Sequence, residues 1–472
     1  MLAVLALGAV AVPISVAVPV EEGVYFVTKA RAVGMVVARA CLKLGMGIEK
    51  VVKDRDAGSK FVVTPVGSVG VGECLRPEEL VVGSDAPLDD AAPGVVIFTS
   101  GTTGRPKGSV MRRGYVFTDA LGVADHYGIE PEDVMLHLLP VHHATGVGIM
   151  FFPSLIAGAT IEFRSGGFDP AWTWERWRKG GVTLFSGVPT IYMRMRRYFE
   201  EKLAGRPDAV EYVGGARALR VCLCGTSALP EPIAAFWGKM LKRPILLRYG
   251  ATEFGAVVRA RVDDPNVPDG SVGTLTAGCD VRLSEGDEGE IQIKSPEMFS
   301  GYLYDPEATA AAHTPDGYFR SGDIARKEGH YYWILGRESV DIVKSGGYKI
   351  SALDIEREML ALPYVNEVMV VGVADEEFGQ RVGAVVVFRD QPSFSPRGLT
   401  IDRLRSDLRG GLAGYKMPTL LRVQEEELPK SGTGKVVKKI LGSLFFPEGY
   451  AQLPEVQVWS PKNSAAQERP KL

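Results

Sequence analysis

Over residues 1–337, short apolar runs alternate with amphipathic stretches, the rhythm of strands and helices taking turns in an α/β body. Val95–Phe98, Thr183–Phe185, Leu219–Leu223 and Ile245–Leu247 read as buried strands. The Pro/Gly-rich stretch Asp264–Gly273 (DPNVPDGSVG) reads as a loop, and Val281–Leu283 and Glu290–Lys294 then alternate like strands of a smaller β subdomain. The character changes across Gly336–Gly347. Beyond it, Asp354–Leu360 and Ile401–Leu412 carry helical patterning, while Val368–Val373 and Val382–Phe388 read as strands. The expected fold class is α/β: a large multi-subdomain domain over 1–337, a hinge region over 338–345, a small α+β domain over 346–450 and a disordered tail over 451–472. A chain of 472 residues can give each domain its own core.

The first twenty residues (MLAVLALGAVAVPISVAVPV) are apolar enough to resemble a signal peptide or membrane anchor. They lack a basic leader, and Pro13 and Pro19 interrupt them, so a buried helix–turn–strand entering the α/β core is expected instead. The net charge of −3, from 54 Lys+Arg against 57 Asp+Glu, gives no broad electrostatic case for nucleic acid or anionic membrane as partners. The five cysteines, Cys41, Cys74, Cys222, Cys224 and Cys279, are scattered without zinc spacing, so reduced structural thiols in an intracellular protein are expected. Cys222 and Cys224 would share one face of a strand.

Candidate chemistry begins at Val95–Ser109 (VVIFTSGTTGRPKGS). Glycines at 101, 104 and 108 allow close backbone approach, hydroxyls come from Thr99, Ser100, Thr102 and Thr103, and Lys107 adds a cation. That is the chemistry of a triphosphate cradle. It is not the Walker P-loop, because Pro106 stands where that motif needs glycine. The plain alternative is a Gly/Ser/Thr surface loop between a strand and a helix. Leu247–Glu253 (LRYGATE) follows an apolar strand, so Arg248 to Glu253 would sit where open α/β sheets bind ligands. There Tyr249 can stack on a base, Gly250 permits close approach, and Thr252 and Glu253 can serve phosphate and a hard cation. Asp323, in YFRSGD, can accept from both hydroxyls of a ribose, and Arg337 can bind ribose or phosphate oxygen. In PKSGTGKVVKK, residues Ser431–Gly434 can deliver Lys435 to a remote site, whereas Lys438 and Lys439 read as a basic turn.

These four segments, together with Gly336–Ile350 (GRESVDIVKSGGYKI), resemble, in order, the motifs of the acyl-adenylate-forming superfamily of acyl-CoA synthetases, luciferases and peptide-synthetase adenylation domains. The resemblance runs from about residue 90 to 440. It implies a small domain that moves, and that Thr99, Ser100, Gly101, Thr102, Thr103, Gly104 and Lys107 hold ATP phosphates. It further implies that Tyr249 meets adenine, Thr252 the α-phosphate and Glu253 a Mg²⁺ ion, with Gly250 also among the nucleotide-binding residues. Gly225, Thr226 and Ser227 (in LCGTSAL) would line the base and acyl pocket, although a small-residue turn describes them equally well. Asp323 and Arg337 would hold the ribose, and Lys435 would be the catalytic lysine. Gly346, Gly347, Tyr348 and Lys349 would receive coenzyme A, with the pivot among Glu338, Ser339 and Val340. His143, in LLPVHHATG, would stand near the acyl and thiol tunnels. The family's substantial N-terminal portion has no counterpart, so a truncated large domain is expected.

For the acid itself, Arg196 and Arg197 have Glu200 and Glu201 four residues on and read as an ion-paired face. Arg194, expected on the more apolar face, and Arg248, at a strand end, lack such partners in sequence. Each is either half of a buried salt bridge or a cation for an anionic substrate. Together they resemble the basic pair of malonyl-CoA synthetases. The resulting expectation is an AMP-forming acid–thiol ligase that uses ATP, Mg²⁺ and coenzyme A on malonate or a methylmalonate-like dicarboxylate. Two alternatives stay open: a short- or medium-chain monocarboxylate ligase, and a catalytically dead nucleotide- or partner-binding remnant. Small molecules are the expected partners, with no nucleic acid and no membrane span. The compartment is open among cytoplasm, mitochondrion and, from the terminal Pro470-Lys471-Leu472, peroxisome. Oligomeric state is not readable.

Overall fold

In the computed structural model, the structure describes residues 1–67, 88–99, 105–164, 166–225, 229–389, 398–430 and 436–460. Its largest sheet has seven strands among the described residues. Thr160–Phe163, Val134–His137, Leu184–Gly187, Val221–Cys224 and Leu246–Ala251 run parallel in that spatial order. Gly255–Arg259 and Thr274–Leu275 then extend the sheet antiparallel. Strands that are apolar on both faces require cover on both. Leu184–Gly187 and Val221–Cys224 are buried throughout. On one face Trp174, Trp177 and Trp237 pack with Phe185 and Tyr192. On the other lie Tyr127, Met135, Met150 and Leu246.

A four-stranded antiparallel sheet, Asp280–Glu285, Glu288–Lys294, Phe319–Glu328 and Tyr331–Arg337, forms the β subdomain. Pro93–Thr99, Lys107–Arg112 and Gly301–Tyr302 make a three-stranded sheet beside it. The small unit is built on Val365–Asp375 and Gly379–Phe388, paired antiparallel along most of their length. Helices Ala352–Ala361 and Ile401–Leu408 bury Ile355, Met359, Leu404 and Leu408 against it.

The N-terminal segment enters the body less deeply than its composition predicts. Helix Leu2–Ala6 buries only Leu5, Leu7 is 85% exposed, and the strand-like contact is a single parallel bridge from Ala11 to Val95. Cys222 and Cys224 are buried in one core, and burial pushes both thiols up to about 12, as inert structural thiols require. Cys74 lies outside the described residues.

Three further differences concern the small unit. Ile342–Ser345 is already a strand of its sheet, which leaves 338–341 as the connection. Val456–Val458 pairs with Leu420–Gln424, so the segment expected as tail contributes an edge strand. Lys438 is no solvated turn residue: its side chain is 11% exposed between Asp341 and Glu356. The side chain of its partner Asp341 is also largely covered, at 16% exposed.

Candidate active site

The Val95–Ser109 stretch closes a hairpin rather than joining a strand to a helix, since Thr99 pairs with Lys107 across it. Ser100, Gly101, Thr102, Thr103 and Gly104 lie outside the described residues. The flanks of the loop are anchored. Tyr25 donates its hydroxyl to the Pro106 carbonyl at 2.8 Å, and Phe26 stacks on Phe98 with ring centroids 4.4 Å apart.

Glu253 reaches the base of this hairpin from the turn between Leu246–Ala251 and Gly255–Arg259. That turn is tight: a Cβ on Gly250 would lie 2.1 Å from the Gly255 carbonyl oxygen, so only glycine fits there. The Glu253 carbonyl accepts from the Phe299 N–H at 2.8 Å. Its carboxylate stands 3.5 Å from the Thr99 hydroxyl and accepts from the Tyr302 hydroxyl at 3.1 Å. The Tyr302 ring lies under the Lys107 ammonium, 4.8 Å from its centroid, a cation–π distance. Thr99, Lys107, Glu253 and Tyr302 therefore converge, and Thr252 is buried beside them in the chain. A carboxylate and a hydroxyl are the hard oxygen donors a Mg²⁺–phosphate group takes, so this corner fits that ion. Tyr302 escaped sequence reasoning because it sits on a two-residue strand whose place follows only from its pairing with Ser109.

A second polar junction lies where the β subdomain meets the main sheet. Asp323 and Arg337 are register partners, and Arg337 Nε donates to one Asp323 oxygen at 2.8 Å. Tyr249 donates to the other, also at 2.8 Å. Each carboxylate oxygen keeps a lone pair for a further donor, so the ribose geometry is not blocked. Tyr249 itself is 8% exposed, its ring against Phe254. What it presents is a hydroxyl on Asp323 rather than an open face for a base. Burial, with Asp323 beside it, pushes the Tyr249 hydroxyl pKa up, so it remains a donor. Gly225 packs against Arg248: a Cβ there would lie 3.1 Å from both Cγ and Cζ of the arginine. Thr226 and Ser227 lie outside the described residues, as does Lys435.

The two arginines expected at the acid are not brought together by any described contact. Arg194 is exposed, its guanidinium 4.9 Å from the centroid of the Phe168 ring. The buried face of its helix, Pro189–Tyr198, is formed by Ile191, Tyr192 and Met195. Tyr192 lies two residues back, about 200° round the helix, so Arg194 is turned away from the sheet that Tyr192 meets. Its expected place on the apolar face is therefore corrected. Arg248 is 7% exposed within the main sheet, and its two terminal nitrogens have no hydrogen-bond partner among the described residues. Burial lowers its pKa, with Tyr127, Cys224 and Tyr192 around it. Among the described residues neither forms a salt bridge. Arg196 and Arg197 do pair with Glu200 and Glu201, at 2.8 and 3.1 Å.

His143 caps the short helical turn Ala144–Gly146, its Nδ1 accepting from the Thr145 N–H at 3.3 Å. Buried His137, which the sequence did not single out, holds the Gly146 carbonyl from Nε2 at 2.9 Å. Gly346 and Gly347 form the two-residue turn of a hairpin, with φ of +56° and +85°, the left-handed pair such turns need. Tyr348 stacks on Tyr415, ring centroids 4.4 Å apart and both exposed. Lys349 reaches Glu285 of the β subdomain at 3.0 Å.

An α/β body carrying these polar junctions is followed by a separately cored α+β unit. The chain belongs to the AMP-binding enzyme family: residues 1–303 match the model of the AMP-binding enzyme, and residues 354–435 that of the AMP-binding enzyme C-terminal domain. It is 33% identical over 479 residues to the mitochondrial malonate–CoA ligase ACSF3 of Mus musculus, covering 95% of this chain and 79% of the relative. Among solved structures, ATP-bound MatB from Rhodopseudomonas palustris is similar at 27% identity and a TM-score of 0.78, covering 94% of this chain and 85% of that one. A malonyl-CoA ligase ternary product complex with methylmalonyl-CoA and AMP is similar at 28% identity and a TM-score of 0.58, covering 91% and 87%.

Proposed function

We propose that this chain is an AMP-forming acid–CoA ligase acting on malonate, and on methylmalonate second. The observation that carries the acid is the buried guanidinium of Arg248 beside Gly225, whose two terminal nitrogens have no partner among the described residues. A buried cation without a counter-ion is costly, and a second carboxylate on the substrate would satisfy it. The names of the mouse relative and of the product complex support the same acid.

In the first step one substrate carboxylate attacks the α-phosphorus of ATP, forming acyl-AMP and releasing pyrophosphate. In the second the coenzyme A thiol attacks the acyl carbonyl, forming the thioester and releasing AMP. Lys107 and the hairpin loop would position phosphates, Asp323 and Arg337 the ribose, and Lys435 would bear the charge that develops in the first step. A Mg²⁺ ion held at Glu253 would neutralise phosphate charge. For the second step the small domain would turn about 338–341 and bring Gly346–Gly347 and the neighbouring Tyr348 and Lys349 towards coenzyme A. His143 would border the acyl and thiol path. The mouse relative is named mitochondrial, which supports an intracellular place for this chain. No helix among the described residues is long and apolar enough to cross a membrane.

Incubation of the purified chain with ATP, malonate and coenzyme A should give malonyl-CoA and AMP in equal amounts. ADP as the nucleotide product, or no thioester, would overturn the reading. Tyr302→Phe should raise the KM for MgATP roughly tenfold, since it removes the hydrogen bond that orients Glu253. Thioester formation from supplied malonyl-AMP should be unchanged in that variant; loss of both would make Tyr302 structural.

A further inference from the structure

Lys438 begins the helix Lys438–Phe445, and its ammonium lies 2.6 Å from Asp341 and 2.7 Å from Glu356. Although burial opposes its charge, the two carboxylates hold the lysine above its ordinary pKa. The partners belong to different parts of the chain. Glu356 is on the helix Ala352–Ala361 and also accepts from the Val370 N–H at 2.7 Å, a contact wholly within the small unit. Asp341 ends the connecting turn, and its other oxygen accepts from the Arg337 N–H at 3.0 Å. The turn closes again through the Asp341 N–H on the Arg337 carbonyl at 2.7 Å. Gly336 is compressed against it, with φ of +128° and a would-be Cβ 2.4 Å from Asp341 Cβ. Arg337 continues to Asp323, and Asp323 to Tyr249. One polar chain thus runs from Lys438 through the connection to the ribose carboxylate of the large domain.

We propose that Lys438 is a positioning residue: through Asp341 it fixes the 337–341 turn, and with it the placing of Arg337 and Asp323 for the adenylating step. The inference rests on the two-step reading above, but its first readout does not need activity. Opening of a turn exposes it to proteases in proportion to the population of the open form. Cleavage by trypsin after Arg337, followed by mass spectrometry on the full chain, should be roughly tenfold faster in Lys438→Met than in the parent protein. Asp341→Asn should behave alike, and combining the two should add little, because they cut one link. Glu356→Gln should leave that cleavage at the parent rate, since its contact does not cross the turn.

In the half-reactions, Lys438→Met should lower malonyl-AMP formation about tenfold against less than threefold for thioester formation from supplied malonyl-AMP. Lys438→Arg should restore most of the difference. Faster cleavage with no ligase activity in the parent protein would sink the ligase reading and keep the link. Equal effects of Lys438→Met and Glu356→Gln on cleavage, or unchanged cleavage in folded Lys438→Met and Asp341→Asn, would overturn the proposal.

Discussion

Replacing Lys435 by alanine should reduce formation of malonyl-AMP from ATP by at least about a hundredfold and spare its conversion to the thioester. The first step puts negative charge on the phosphoryl oxygens as the carboxylate attacks, and removal of one well-placed donor to such charge costs about 10²–10³ in rate. The second step has no phosphoryl transfer, so a lysine devoted to the first has nothing to do there. Pyrophosphate release reports one step, and malonyl-CoA from supplied malonyl-AMP the other. The glycine-rich setting of Lys435, in SGTGK, suits a side chain delivered from a distance. Equal loss in both steps by a folded variant would deny it that role.

Arg248→Met should lower kcat/KM for malonate by about a hundredfold or more, close to 3 kcal/mol, and lower turnover of a monocarboxylate such as butyrate much less. It should do so without loss of thermal stability. A buried guanidinium whose terminal nitrogens lack partners among the described residues carries a desolvation cost that methionine, of similar length, removes. A structural arginine would behave in the opposite way, because breaking its contacts would cost folding energy and harm every acid alike. A fall in melting temperature together with a uniform loss of activity would therefore remove Arg248 from the acid pocket. Arg194, exposed on Phe168, should matter less than Arg248, and charge reversal there should lower malonate use by more than monocarboxylate use.

The α/β body and the α+β unit were legible because buried strands are near-continuous apolar runs and helices keep one apolar face. Val281–Leu283 and Glu290–Lys294 fall inside observed strands for a different reason, the alternation of apolar and polar residues along a half-covered strand. Short elements without an apolar run were not legible. The strand Val456–Val458 is three residues of edge, and its pairing with Arg422 and Leu421 is a tertiary fact. Motif residues marked the right loops but could not say what each side chain does within the fold. Tyr249 could be read as a stacking ring, yet its hydroxyl lies on a carboxylate 74 positions away. Lys438 read as a basic turn because nothing local shows that Asp341 and Glu356 converge on it. Helix phase alone could have placed Arg194, since Ile191, Tyr192 and Met195 already define a face that excludes it.

The central claim is that this family member spends ATP on a small dicarboxylate. Pyrophosphate release by the purified chain, with ATP and Mg²⁺ and one acid at a time, tests it most directly. The predicted order of kcat/KM is malonate, then methylmalonate, with octanoate far behind; release with octanoate equal to that with malonate, or none with any acid, would contradict it.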